Sequence, residues 1–198
     1  MPRLSDAIQA MQYVKERIPL DRSDNKFIPQ HRSTLPFAER LQSRQAAVGW
    51  LNTVRSHPRC PHQGQSSPSD VVKYGAYVLA AAHGNCLEMS CAAAWYLNEV
   101  GCFGWDMVYY PNGDHVYLVM GQPTDLQGRF PDDFADWDPE AVICDVWADI
   151  ACPAREYPAR WRARMHNWQT MGLVLGNLLP THPNWHDLID GDKSSFLH

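Results

Sequence analysis

Hydrophobic residues recur at helical spacing in the first half of the chain and at strand spacing further on. Leu4, Ile8, Met11, Val14 and Ile18 fall three to four residues apart, which predicts an amphipathic helix over 4–18. Pro19 and Pro29 close that segment and bracket a polar connector. A second helix is expected over 35–55, where Pro36 suits a first-turn position and Leu41, Val48 and Leu51 mark a face. Three prolines with Gly and Ser make 56–69 a loop. Ser69 is then expected to cap a helix running to about Ala82, with Gly84 as its stop signal. A further helix starts at about Cys86 and runs to Val100, ahead of Gly101.

After Gly101 the period shortens to two. Trp105, Met107 and Tyr109 alternate, Pro111-Asn112-Gly113-Asp114 is a strong turn, and Val116 to Met120 follows, so an antiparallel hairpin is predicted. Residues 121–139 are rich in Gly, Pro and Asp and read as a loop, and Ala141-Val142-Ile143-Cys144 is a third strand ending at Asp145. Residues 158–171 read as a helix behind Pro158, and the tail 180–198 reads as irregular. The order predicts an α+β domain with helices packed on an antiparallel sheet. No internal repeat divides the 198 residues, so a single domain is expected, with 1–32 as an N-terminal helical extension.

Composition narrows the class. Hydrophobic residues make up 45% and charged residues 20%, which fits a globular chain and excludes a disordered, collagenous or coiled-coil one. No run of 18 apolar residues offers a membrane span. A net charge of -5 argues against a nucleic-acid partner, and Trp161-Arg162-Ala163-Arg164 reads as a helix face rather than a basic patch. The six cysteines are scattered among apolar residues in a chain large enough for its own core, so reduced thiols are expected. The N-terminus has no apolar h-region and is not a secretory signal peptide, which leaves export by a system that does not cut it.

Three segments carry candidate chemistry. In His83-Gly84-Asn85-Cys86-Leu87-Glu88, Cys86 sits past a glycine turn at the start of an apolar helix. Unpaired N–H groups and the positive helix end favour an anion there, which is where a thiolate becomes nucleophilic and where an oxyanion hole can form. In Gly113-Asp114-His115-Val116, His115 opens a strand; in Ile143-Cys144-Asp145-Val146-Trp147, Asp145 ends one. If those strands are neighbours, Asp145 takes the proton on one ring nitrogen of His115 and leaves the other facing Cys86. The three residues lie 29 and 30 positions apart.

Gly84-Asn85-Cys86 with Glu88, Asp114-His115-Val116 and Asp145-Val146-Trp147 together resemble the papain-like/transglutaminase-like cysteine enzymes of bacterial toxins and injected effectors. The resemblance covers about residues 83–148. It departs from the family's usual Asp-Pro-Trp at the third motif, where this chain has Val146. It implies a papain-like fold, a Cys86–His115–Asp145 triad, no metal and no cofactor. The implied activity is attack on a glutamine side-chain amide (deamidase or transglutaminase) or on a peptide bond (protease). It also implies a protein substrate in a host or competitor cell. The enzyme would be made in a bacterial cytoplasm and act in the target-cell cytosol, with a secretion chaperone or cognate inhibitor as companion.

Other residues have competing readings. Asn85 offers either an oxyanion donor or a local turn bond. Glu88 favours the positive helix end or contacts a loop. Trp147 shields the His115–Asp145 pair or simply packs in the core. His83 competes with His115 as base, and Asp149 and Asp138 compete with Asp145 as orienter. His57, Cys60 and His62 have zinc-ligand types but no second ligand pair at usual spacing, and His182 and His186 sit in a proline-interrupted tail.

Overall fold

A computed structural model describes residues 4–19, 26–27, 48–176 and 178–198. Its helices are α1 (Leu4–Arg17), α2 (residues 48–55), α3 (Pro68–Ala81), α4 (Cys86–Glu99), α5 (Tyr157–Thr170) and α6 (Pro183–His186). Its strands are β1 (Lys26–Phe27), β2 (Trp105–Tyr109), β3 (Val116–Met120), β4 (Val142–Asp145), β5 (Ile150–Pro153), β6 (Val174–Leu175) and β7 (Ser194–Ser195). Five strands form one antiparallel sheet in the order β5-β4-β3-β2-β7, and β1 pairs with β6 separately. The class is α+β.

α4 organises the helical layer because its middle turn is small. Cys91, Ala92, Ala93 and Ala94 are all fully buried, so neighbours approach to backbone distance. α3 is the nearest of them. A Cβ on Gly75 would collide with the Cys91 carbonyl oxygen and come within 2.9 Å of the Trp95 Cβ, which is why glycine stands there. On its other sides α4 packs against α1 and against β3 and β4. The hairpin is as expected, with Trp105 opposite Met120 and Tyr109 opposite Val116. β4 joins it with Leu118 opposite Cys144.

Several expectations need correction. The cap of α3 is Ser67, not Ser69: Pro68 fits the first helical position, and Asp70 closes a capping box by accepting the Ser67 N–H at 3.0 Å. The inward face of α1 keeps Val14 and the following Ile18 but is completed by alanines in place of Leu4, Ile8 and Met11. Ala7, Ala10, Val14 and Ile18 are buried while Leu4 is 38% exposed, because the alanines let α1 lie close on α4, β4 and β5. The segment expected as an extension therefore contributes directly to the core. Of the helix expected over 35–55, residues 48–55 are described, with Leu51 and Val54 inward; Pro36 and Leu41 lie outside the described residues.

The tail is not irregular. It carries α6, a 3-10 turn at Leu188–Asp190 and the edge strand β7, and it buries Trp185, Ile189 and Phe196. β5 is likewise absent from the pattern of the sequence, since its four residues end on Pro153, a residue suited to an edge. All six cysteines are free. Among the described residues no helix is long and apolar enough to cross a membrane.

Because Gly75 faces backbone rather than a movable side chain, Gly75→Val is expected to cost at least about 1–3 kcal/mol through overpacking. Urea denaturation of the variant checks this; an unchanged midpoint would mean that α3 and α4 are not in such close contact.

Candidate active site

The turn before α4 is built to start a helix abruptly. α3 ends with Ala82 in the left-handed conformation, φ 55°. Gly84 follows, and a Cβ there would lie 2.5 Å from the Glu88 Cβ, so the chain can only pass this point without a side chain. Asn85 is the N-cap and Cys86 the first helical residue. Glu88, fully buried, folds back so that its Oε2 accepts the Asn85 N–H at 2.9 Å. Its carboxylate is met from the other side by Arg55 of α2, which donates from Nε to Oε1 at 2.8 Å and from Nη2 to Oε2 at 3.4 Å. Glu88 therefore does more than favour the helix end: it ties the start of α4 to α2. The Asn85 backbone N–H is used in this tie.

His115 directly precedes β3 and Asp145 is the last residue of β4. Extending the register of these strands by one residue places Asp145 opposite Tyr117, so His115, two residues before Tyr117, is its diagonal neighbour on the same face. The His115 Nε2 and the Asp145 Oδ2 lie 2.7 Å apart. Asp145 is held from two further directions: Tyr157 of α5 donates its hydroxyl to Oδ2 at 2.7 Å, and the Ala148 N–H donates to Oδ1 at 2.9 Å across the turn that leads to β5.

With Nε2 committed to Asp145, the ring has Nδ1 left. Nδ1 is buried, and among the buried side-chain nitrogens and oxygens of the described residues it is the one left without a conventional hydrogen-bond partner. The Cys86 sulfur acts on this same imidazole. Ser90, one turn along α4 from Cys86, donates its hydroxyl to the Val116 carbonyl at 3.1 Å and so fixes the helix against the residue next to His115. Cys86, His115 and Asp145, 6%, 2% and 1% exposed, are thus brought together.

Aromatic rings close the rest of the imidazole's surroundings. Trp161, Trp147 and Tyr117 have ring centroids 4.9, 5.2 and 5.8 Å from that of His115. Trp147 therefore touches the catalytic candidate itself. Its far side stacks on Trp185 at 5.5 Å, and Trp161 Nε1 donates to the Trp185 carbonyl at 2.7 Å, which draws the tail into the wall. An open groove of about 500 Å³ lies on the outer side of Trp185, lined also by Tyr110, Asp114 and Leu188.

Burial disfavours a charged imidazole, but the Asp145 carboxylate and its hydrogen bond, with the Cys86 sulfur, more than offset this and raise His115 to about 10. At neutral pH His115 is therefore a cation with a proton on Nδ1 to give. Elsewhere burial raises the thiols of Cys60, Cys91, Cys144 and Cys152 above the ordinary range.

The competing residues are engaged elsewhere. His83 stacks on Trp50 at 5.6 Å, and its Nδ1 lies 2.8 Å from the Ala81 carbonyl. Asp149 pairs with Lys15 and Arg164, and Asp138 caps its own turn at the Glu140 N–H. His57 stacks on Tyr77, and His182 and His186 bond within their own turn. Among the described residues no three His, Cys, Asp or Glu side chains converge to hold a metal. Sequence reasoning missed Arg55, Tyr157 and Trp161. None carries a local signal; each reaches the site only through the packing of its helix. No family model, no curated protein and no solved structure matches the chain.

Two expectations test this geometry. A histidine raised above its unfolded value of 6.5 stabilises the fold fully below that pH, and the contribution is lost as pH rises through about 10. Between pH 6.5 and 10 the stability gap between wild type and Asp145→Asn should therefore be widest at the acid end and close toward the alkaline end, as read by denaturant midpoints. A constant gap would show that the His115–Asp145 pair does not carry charge. Arg55→Ala leaves the buried Glu88 without its cation; since Arg55 is half-exposed, the expected loss is about 1–3 kcal/mol, with a lowered melting temperature.

Proposed function

We propose that the chain is a cysteine-dependent amidohydrolase of the papain-like, transglutaminase-like kind, which acts on a protein substrate through a thioester and most simply deamidates a glutamine side chain. The observation that carries the reading is a buried imidazole with one nitrogen bound to a carboxylate at 2.7 Å and the other left for a thiol at a helix start. A solvated or purely structural histidine has no need of that arrangement, since an unmet buried nitrogen is costly.

The chemistry follows from the atoms present. The Cys86 thiolate adds to the amide carbonyl carbon, and the carbonyl π electrons move to oxygen. The N–H groups at the start of α4 have no acceptor within the helix and can supply donors to that oxyanion; the Asn85 N–H, held by Glu88, is not among them. As the C–N bond breaks, the Nδ1 proton of His115 passes to the leaving nitrogen, and ammonia departs from a glutamine, or an amine from a peptide bond. Neutral His115 then takes a proton from water as the hydroxide adds to the thioester, and collapse releases the acid and the Cys86 thiolate, which restores the thiolate beside a protonated His115. Asp145 and Tyr157 hold the ring with Nε2 protonated throughout.

Iodoacetamide is expected to alkylate Cys86 far faster than the other five thiols, four of which burial suppresses. Cys86→Ala should fold, because alanine suits a helix better than cysteine, and should show no turnover. Asp145→Asn should lose on the order of 10- to 10³-fold in turnover. The same substitution in the serine-protease triad costs roughly 10⁴, and a thiolate–imidazolium pair depends less on its orienter. Intact-mass analysis of candidate partner proteins reads the product: the mass change of an amide becoming an acid marks deamidation, whereas fragments mark a protease. Wild-type turnover by Cys86→Ala would sink the mechanism, and a Cys86 no more reactive than its neighbours would favour a non-catalytic binding protein.

A further inference from the structure

Lys26 is buried in β1, the short strand that pairs with β6 in the register Lys26 to Leu175. Lysine ordinarily keeps its ammonium in water, because burying a charge is expensive unless it is met. Here the ammonium turns inward. It donates to the Trp147 carbonyl and lies 4.8 Å from the centroid of the Trp147 ring and 4.6 Å from that of Trp168. Among the described residues no carboxylate forms an ion pair with it.

Four charged groups act on it electrostatically: Asp145 and Asp149 from β4 and its turn into β5, Lys15 from α1 and Arg164 from α5. Asp149 is already paired with both Lys15 and Arg164. Asp145 is thus the carboxylate whose field Lys26 balances. Burial lowers the ammonium to about 8, so it remains largely charged at neutral pH. The carbonyl it holds also belongs to the turn in which Ala148 caps the Asp145 carboxylate.

Building on the thiol-hydrolase reading above, we propose that Lys26 is a positioning residue of the Cys86–His115–Asp145 site. It fastens the turn that presents Asp145 and Trp147, and its positive charge on the Asp145 side favours the thiolate of Cys86. Removing that charge should make the thiolate harder to form.

The test is the pH dependence of Cys86 alkylation by iodoacetamide, followed by peptide mass analysis. In Lys26→Gln, which keeps a donor for the Trp147 carbonyl, the acid limb should move to higher pH by about half a unit, an approximately three-fold slower reaction on that limb. Lys26→Arg should restore the wild-type limb. If Lys26→Gln does not fold, Lys26→Met keeps an unbranched apolar stem without the charge and carries the same comparison. Limbs that superimpose on wild type, with only the melting temperature lowered, would overturn the proposal and leave Lys26 a packing residue. A wild-type Cys86 that reacts no faster than the other thiols would instead overturn the hydrolase reading on which it rests.

Discussion

The carboxylate of Asp145 is the group on which the arrangement around it depends. It is buried, and a buried carboxylate persists only when its oxygens are met by donors. Three arrive from three places: the imidazole ahead of β3, the Tyr157 hydroxyl at the start of α5, and the Ala148 N–H in its own turn. Each donor fixes a different part of the fold. The first requires the β3–β4 register, since a slip by one residue would send His115 to the other face of the sheet. The second requires α5 to begin close to the end of β5. The third requires a tight turn, and Asp149 accepts a left-handed backbone (φ 59°) within it, steadied by Lys15 and Arg164.

The nucleophile's side obeys a different constraint, close packing of backbone. α4 can carry Cys86 to the sheet because the middle of its buried surface, Cys91 to Ala94, is small and because Gly75 lets α3 approach the Cys91 carbonyl. Small side chains over that turn do little to fix the rotation of the helix. Polar ties do that instead: Ser90 to the Val116 carbonyl at one point, and Glu88 between Asn85 and Arg55 at another. The first links the thiol's helix directly to the strand that His115 opens. Van der Waals contact sets how near Cys86 comes, and hydrogen bonds set where it points.

Those parts that carry local signals were legible in the sequence. A glycine before Cys86, Asn112-Gly113 before His115 and an apolar run ending at Asp145 each mark an element boundary through backbone preference alone, and the structure has boundaries there. The inward face of α1 was legible only at Val14 and Ile18, because Ala7 and Ala10 are chosen by the closeness of α4 and not by hydrophobicity. β7 was not legible, since its two serines have no pattern and join the sheet only by pairing Val108 and Tyr109. Ser67 and Ser69 are equivalent caps until Pro68 and Asp70 are weighed together. Arg55 and Glu88 are 33 residues apart, and nothing in either segment announces the other.

The aromatic wall and the carboxylate are not separable contributions. Rings of Trp147, Trp161 and Tyr117 exclude water from the imidazole, and on its own that exclusion would keep His115 neutral. Asp145 at 2.7 Å reverses the sign, and it acts strongly because the same rings keep solvent from screening the pair. Removing the carboxylate from this wall would leave a neutral ring with no proton to give from Nδ1. Opening the wall around an intact pair would let water weaken the attraction that sustains the cation. The tail contributes to the wall, since Trp185 both stacks on Trp147 and accepts the Trp161 N–H at its carbonyl. A segment that is distant in sequence and weakly patterned therefore helps to set the charge state of His115.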